Sequence, residues 1–171
     1  MILERRQEIN RELRDSIEKT LQESTEFLQN NLDSSQILDY KYTTDEAEKE
    51  MGLEADLVNE LVEDYVIQII KSKTQFLQYI QTLQTAKEKF IEPDYTLLRE
   101  LSHKNLGVAK NLRIKDAIHI LNELMKKDDL AYLTLCVKIL EACAIRLNPK
   151  CAYKTLKLID IKNSLTNYFK E

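Results

Sequence analysis

Apolar residues recur along this chain at three- and four-residue steps and scarcely at alternate positions, so the pattern predicts helices and no sheet. Ile9, Leu13, Ile17 and Leu21 step by four and Leu28 continues the face, so residues 3–30 read as one amphipathic helix. Its apolar stripe is narrow and has to lie on something, either the rest of the chain or another subunit. Asn30, Asn31, Asp33, Ser34 and Ser35 mark a break. Thr43 and Thr44 before Asp45, Glu46 and Glu48 predict a helix start in which a threonine hydroxyl caps free amides, and Gly52 predicts its end. A long helix follows over about 54–89, with Leu57, Leu61, Tyr65, Ile69, Phe76, Ile80 and Leu83 on its apolar face. Pro93-Asp94 interrupts it, and Asp94 is placed to cap a helix over about 95–112. Further helices are expected over about 116–127, from Asp128-Asp129 to about Asn148 and, after the break at Pro149, over about 151–169.

Composition strengthens this reading. Only two glycines and two prolines occur in 171 residues, which leaves long stretches free of helix breakers. Hydrophobic residues, 43% of the chain, suffice for a core, and short connections favour antiparallel neighbours in an up-and-down all-α bundle. The expected organisation is an N-terminal helix and connector over 1–40 and a helical bundle over 41–171. Net charge is -4 with both signs mixed, which argues against a nucleic-acid surface. No apolar run approaches the ~20 residues of a membrane span. Met1-Ile2-Leu3 runs at once into Glu4, Arg5 and Arg6, so no secretory signal is expected and the chain reads as soluble and cytoplasmic. The odd set of cysteines, Cys136, Cys143 and Cys151, fits reduced thiols. Cys136 and Cys143 share a helix face and read as small core residues. There is no compact cysteine–histidine cluster for a metal, no glycine-rich phosphate loop and no nucleophile elbow, so neither metal nor cofactor is expected. Glu63-Asp64 and Asp128-Asp129 read as solvated surface or caps. The aromatics Tyr65, Phe76, Tyr79, Phe90 and Tyr95 read as core or rim.

One helix carries candidate chemistry. Within 95–112, Leu98, Leu101, Asn105, Val108 and Leu112 form a core stripe with one polar member. His103, Gly107 and Lys110 fall on another face, with Leu106 beside them, so His103 is expected to point outward at mid-helix. A mid-helix glycine costs about 1 kcal/mol relative to alanine. Gly107 either clears space for a docking partner or permits close helix packing, and spacing leaves both open. His119, between Ile118 and Ile120, reads as a partly buried or rim residue.

The segment LVNELVEDYVIQIIKSKTQFLQYIQTL, then DYTLLRELSHKNLGVAKNLRIKDAIHILNEL, then KKDDLAYLTLCVKILEACAIRL resembles a histidine-phosphotransfer (HPt) domain over about residues 44–147. Against the family motif His-x-Leu-Lys-Gly, followed by small residues and a Leu-Gly-like turn, the chain offers His103-Lys104-Asn105-Leu106-Gly107-Val108-Ala109 and then Asn111-Leu112-Arg113-Ile114. The resemblance implies an antiparallel four-helix bundle with extra N-terminal and C-terminal helices. It implies that His103 accepts a phosphoryl group and that the chain is a carrier rather than a self-sufficient enzyme. A response-regulator receiver domain or hybrid histidine kinase would be its partner and would supply the aspartate and metal ion. The motif departs at two positions: the family lysine three residues after the histidine is Leu106 here, and Asn105 stands at the usual apolar position. Lys110 and Lys104 are the candidate substitutes for that charge, with Lys110 preferred because it lies near the same face. Leu106, Gly107 and Arg99 are the candidate docking residues. Two other expectations stand beside the carrier: a phosphorylation-silent module that keeps the docking surface without the chemistry, and self-association into a homodimer through residues 3–30.

Overall fold

The structure, a computed structural model, describes residues 2–31, 41–168 and 170. Among them it contains seven helices and no strand: α1 (Ile2–Asn31), α2 (Asp45–Met51), α3 (Ala55–Glu88), α4 (Thr96–Asn111), α5 (Lys115–Lys126), α6 (Leu130–Leu147) and α7 (Pro149–Tyr168). Of the break predicted after α1, Asn30 and Asn31 are still helical, and Asp33, Ser34 and Ser35 lie outside the described residues.

Local chemistry sets most boundaries. Gly52 ends α2 at φ 65°, returning its N–H to Glu48 O. Thr44 does not cap the amides as expected; its hydroxyl donates to Glu48 Oε2 at 2.7 Å instead. Asp94 Oδ1 accepts from the Thr96 amide and hydroxyl ahead of α4, and these bonds hold its carboxyl below the ordinary range. Asp129 Oδ1 accepts from Tyr132 N and starts α6. The break at Pro149 is a single residue: Asn148 caps Cys151 N at 3.1 Å, and Pro149 is already helical, as suits a ring with no N–H to donate.

Polar contacts give the packing order. Lys87 lies near Asp128 O, and Lys73 reaches Glu141, so α3 and α6 run antiparallel. Arg99 reaches the Leu124 and Lys127 carbonyls, which makes α4 and α5 an antiparallel pair. After Asn148 the chain turns back, and α7 runs beside α3, with Cys151 Sγ over Glu63 O. The stripe of α1 lies on α6: Leu13 and Phe27 are buried, Phe27 meets Tyr132 at 5.7 Å, and Arg146 binds Leu21 O, Ser24 and Thr25. The Leu28 side chain, assigned to that stripe from the sequence, is outside the described residues. Tyr65, Ile69, Phe76, Leu98, Ile120 and Leu133 fill the centre.

Three sequence expectations are corrected. Leu57 and Leu61 are 48% and 38% exposed, while Val58 and Val62 are buried. Four-residue steps drift by about 40° each, and the first turns of α3 have already rotated those leucines off the core. Phe90 is neither core nor rim; it is 98% exposed. It ends α3 at φ 55°, where Ile91 N returns to Ala86 O, a left-handed stop usually taken by glycine. Arg113 ends α4 the same way at φ 59°, with Ile114 N on Ala109 O. Third, α4 buries Ser102, Leu106 and Ala109 along with Leu98, Asn105 and Leu112, leaving Leu101 and Val108 only partly covered. A helix wedged against both α3 and α5 buries a wider arc than one stripe.

Because the Phe90 ring packs on nothing, Phe90→Gly removes left-handed strain without opening a cavity. We expect a gain of about 0.5–1 kcal/mol, read as a higher urea midpoint at unchanged m-value.

Candidate functional site

Helix α4 presents one polar arc to solvent. His103, Lys104, Gly107 and Lys110 are all exposed, as are Glu100 one turn earlier and Thr96 at the start. Neither ring nitrogen of His103 has a hydrogen-bond partner among the described residues, and neither Lys104 nor Lys110 is held in an ion pair there. A Cβ added to Gly107 would meet nothing within 4 Å. Close helix packing therefore does not explain this glycine, and the space beside His103 one turn toward the C-terminus is open. Helical geometry puts Lys110 about 20° around the axis from His103 and two turns along, and Lys104 about 100° around.

The opposite side of α4 is locked. Asn105 is fully buried. Its carbonyl oxygen accepts from Gln68 Nε2 of α3 at 3.1 Å, and its amide donates to Leu101 O at 2.9 Å. Ser102, also fully buried, donates to Leu98 O at 2.7 Å. A buried side-chain amide is costly unless satisfied, so the Gln68–Asn105 bond selects one rotation of α4, and that rotation turns His103 to water.

Two candidate docking residues are placed differently from expectation. Leu106 is 5% exposed and packs in the core, so it cannot be an outward docking contact. Arg99 is a structural clamp: it donates to Leu124 O, to Lys127 O at 2.8 Å and to Asp128 Oδ1 at 2.7 Å, and it stacks on Tyr95 at 4.9 Å. A guanidinium tied to the α5–α6 connection in this way holds the end of the bundle and is not available as a docking cation. Gly107, the third, is exposed.

His119 is half-buried with Nε2 unpartnered. Beside α5 and α6 lies a polar cluster that periodicity did not reveal. Burial pushes the Asp116 carboxyl up, against the Ala117 N–H, the Cys143 thiol and the Arg146 charge, which pull it down. Burial pushes the Cys143 thiol up strongly, and the Tyr65 hydroxyl likewise. Tyr65 Oη has no hydrogen-bond partner among the described residues. Cys136 is pushed up to about 12, by burial first and by the Glu123 charge. These thiols stay protonated at neutral pH and pack as hydrophobes. Asp116 stands in the first turn of α5, and only the fold brings Cys143 to it.

The clefts lined by α1, α3, α6 and α7 contain no residue of α4. Among the described residues no group of three or more His, Cys, Asp or Glu side chains is arranged to hold a metal, and no helix is long and apolar enough to cross a membrane. His103 lies outside those four clefts, exposed on the face of α4. No known protein family, no curated protein and no solved structure matches this chain.

A raised carboxyl pKa means that the folded state prefers the protonated acid, so Asp116 costs stability as pH climbs through the carboxylate range. Asp116→Asn keeps an acceptor for Ala117 N and cannot ionise. It should melt above the wild type at neutral pH, and the two curves should converge once pH falls below the ordinary carboxylate range. A constant difference across pH would contradict the assignment.

Proposed function

We propose that this chain is a histidine-phosphotransfer protein whose carrier residue is His103, acting in the cytoplasm between receiver domains or between a hybrid histidine kinase and a receiver. On this reading α3, α4, α5 and α6 are the antiparallel four-helix bundle of the HPt resemblance, and α1 and α7 are additions. The observation that carries the proposal is the exposed, unpartnered imidazole at mid-helix, with open space over Gly107.

The chemistry needs little from the carrier. A neutral imidazole nitrogen attacks the phosphorus of an aspartyl phosphate in line. The P–N bond forms as the P–O bond to the aspartate breaks, and the carboxylate leaves with the electron pair. Donation to a second aspartate is the reverse. The receiver supplies the aspartate and the metal that spreads the charge. This chain supplies a rigid platform, and rigidity matters because ångström misplacement costs orders of magnitude. Lys110 and Lys104 are the free cations on the face, and Lys110 is the better placed to approach a phosphoryl group, since helix side chains lean toward the N-terminus.

One observation favours a second reading. Leu106 is buried where the family carries lysine, so the usual cation one turn from the histidine is missing. A phosphorylation-silent module that binds receivers through the same face would tolerate this loss.

Incubation with phosphorylated receiver domains separates the two. The carrier should take up acid-labile phosphate, and His103→Gln should take up none. Gly107→Trp should fold normally, since its side chain enters open space, yet lose transfer by roughly ten-fold or more through blocked approach. Receiver binding that survives His103→Gln, with no uptake by the wild type, would establish the silent module instead.

A further inference from the structure

On the side of the molecule built by α1, α6 and α7, a cleft of about 800 Å³ runs between α1 and the α6–α7 turn. Its floor is apolar: Ile17 and Leu21 from α1, and Ile145, Pro149 and Tyr153 from across it. Its rim is basic. Arg14 stands on the α1 wall, and Lys150, Lys154 and Lys157 stand on α7, with Arg146 at the turn. Glu18 is the single acid among the described residues of the lining. Arg146 is spoken for by Ser24, Thr25 and Leu21 O. Arg14, Lys150, Lys154 and Lys157 form no ion pair among the described residues. Glu63 shares a groove with Lys150 and Lys154 on the far side of α7 but does not pair with them. The whole chain carries -4, so this local excess of positive charge runs against the background.

We infer that this cleft is a docking groove for an acidic amphipathic helix of a partner protein. Charge spacing selects that occupant. Lys150, Lys154 and Lys157 recur at one-turn steps over about 10 Å of α7, and Arg14 faces them across the cleft. A single carboxylate or phosphate headgroup would meet one or two of these cations and leave the others unanswered. A helix with Glu or Asp at one-turn spacing meets the row, while a leucine stripe at i, i+3 and i+4 fills the floor of Ile17, Leu21 and Tyr153. The lysine stems line the walls and keep their ammonium groups at the rim. The groove holds no residue of α4, so the inference is independent of His103.

The probe is a fluorescent synthetic helix with a leucine stripe flanked by glutamates, followed by anisotropy. The controls are the same peptide with lysine for glutamate, the same with serine for leucine, and dodecanoate below its micelle concentration. The glutamate peptide should bind about ten-fold or more tighter than either control peptide and weaken with added salt. Lys150→Glu with Lys154→Glu should lower its affinity at least about ten-fold while leaving the melting temperature unchanged, as both side chains are exposed. Equal binding of the acidic and basic peptides, or indifference to the charge reversal, would overturn the inference. So would dodecanoate that displaces the peptide and binds more tightly, because the groove would then be a site for single-chain anionic amphiphiles.

Discussion

The hydrogen bond between Gln68 and Asn105 fixes how α4 is turned, and the character of the exposed face follows from it. An asparagine in a helix–helix seam is unfavourable unless its amide finds partners, and here both ends are satisfied, one by α3 and one by the preceding turn of α4. Rotate α4 by one residue and Asn105 leaves Gln68, Leu106 leaves the core and His103 swings toward a neighbouring helix. Leucine at position 105 would pack, but it would specify the rotation less sharply, since apolar contacts tolerate sliding that a directed bond does not. The amide pair thus converts a packing preference into a defined orientation, which is what the carrier role proposed for His103 requires.

The same economy shows in what surrounds the imidazole. Its neighbours on the exposed arc are a glycine, two free lysines and a glutamate, and none of them holds the ring. The polar groups that could have held it are turned inward or used elsewhere: Ser102 bonds its own helix, and Arg99 closes the junction of α4, α5 and α6. The half-buried ion pair of Lys73 with Glu141, at 2.9 Å, ties α3 to α6 in a comparable way. Supports from α3 and α6 stand on one side of α4, and an exposed, unpartnered imidazole stands on the other.

Much of this was readable from residues in order. The helices fall close to their predicted spans because proline, glycine and capping acids act locally, as Asp94, Asp129 and Gly52 illustrate. The outward His103 and the polar core member Asn105 also follow from helical spacing. What spacing could not supply depends on which neighbours a helix meets. Leu106 sits at the edge of the apolar arc, and only the combined presence of α3 and α5 widens that arc enough to bury it. Arg99 resembles any surface cation until the α5–α6 connection is brought to it. Leu57 and Leu61 belong to a valid heptad-like run, yet the core begins one residue later. Phe90 reads as core or rim from its place near an apolar stripe, whereas it closes α3 in a left-handed turn with its ring in water. The Asp116–Cys143 contact joins residues far apart in sequence and leaves no trace in periodicity.

The carrier role proposed for His103 requires a reactive imidazole at one of two histidines, and small-molecule phosphorylation tests that without any partner. Treating the protein with phosphoramidate and recording phosphorus NMR should give an acid-labile phosphohistidine signal that persists in His119→Gln and vanishes in His103→Gln. A signal that instead follows His119, or an imidazole at position 103 that resists phosphoramidate as strongly as the half-buried one, would contradict it.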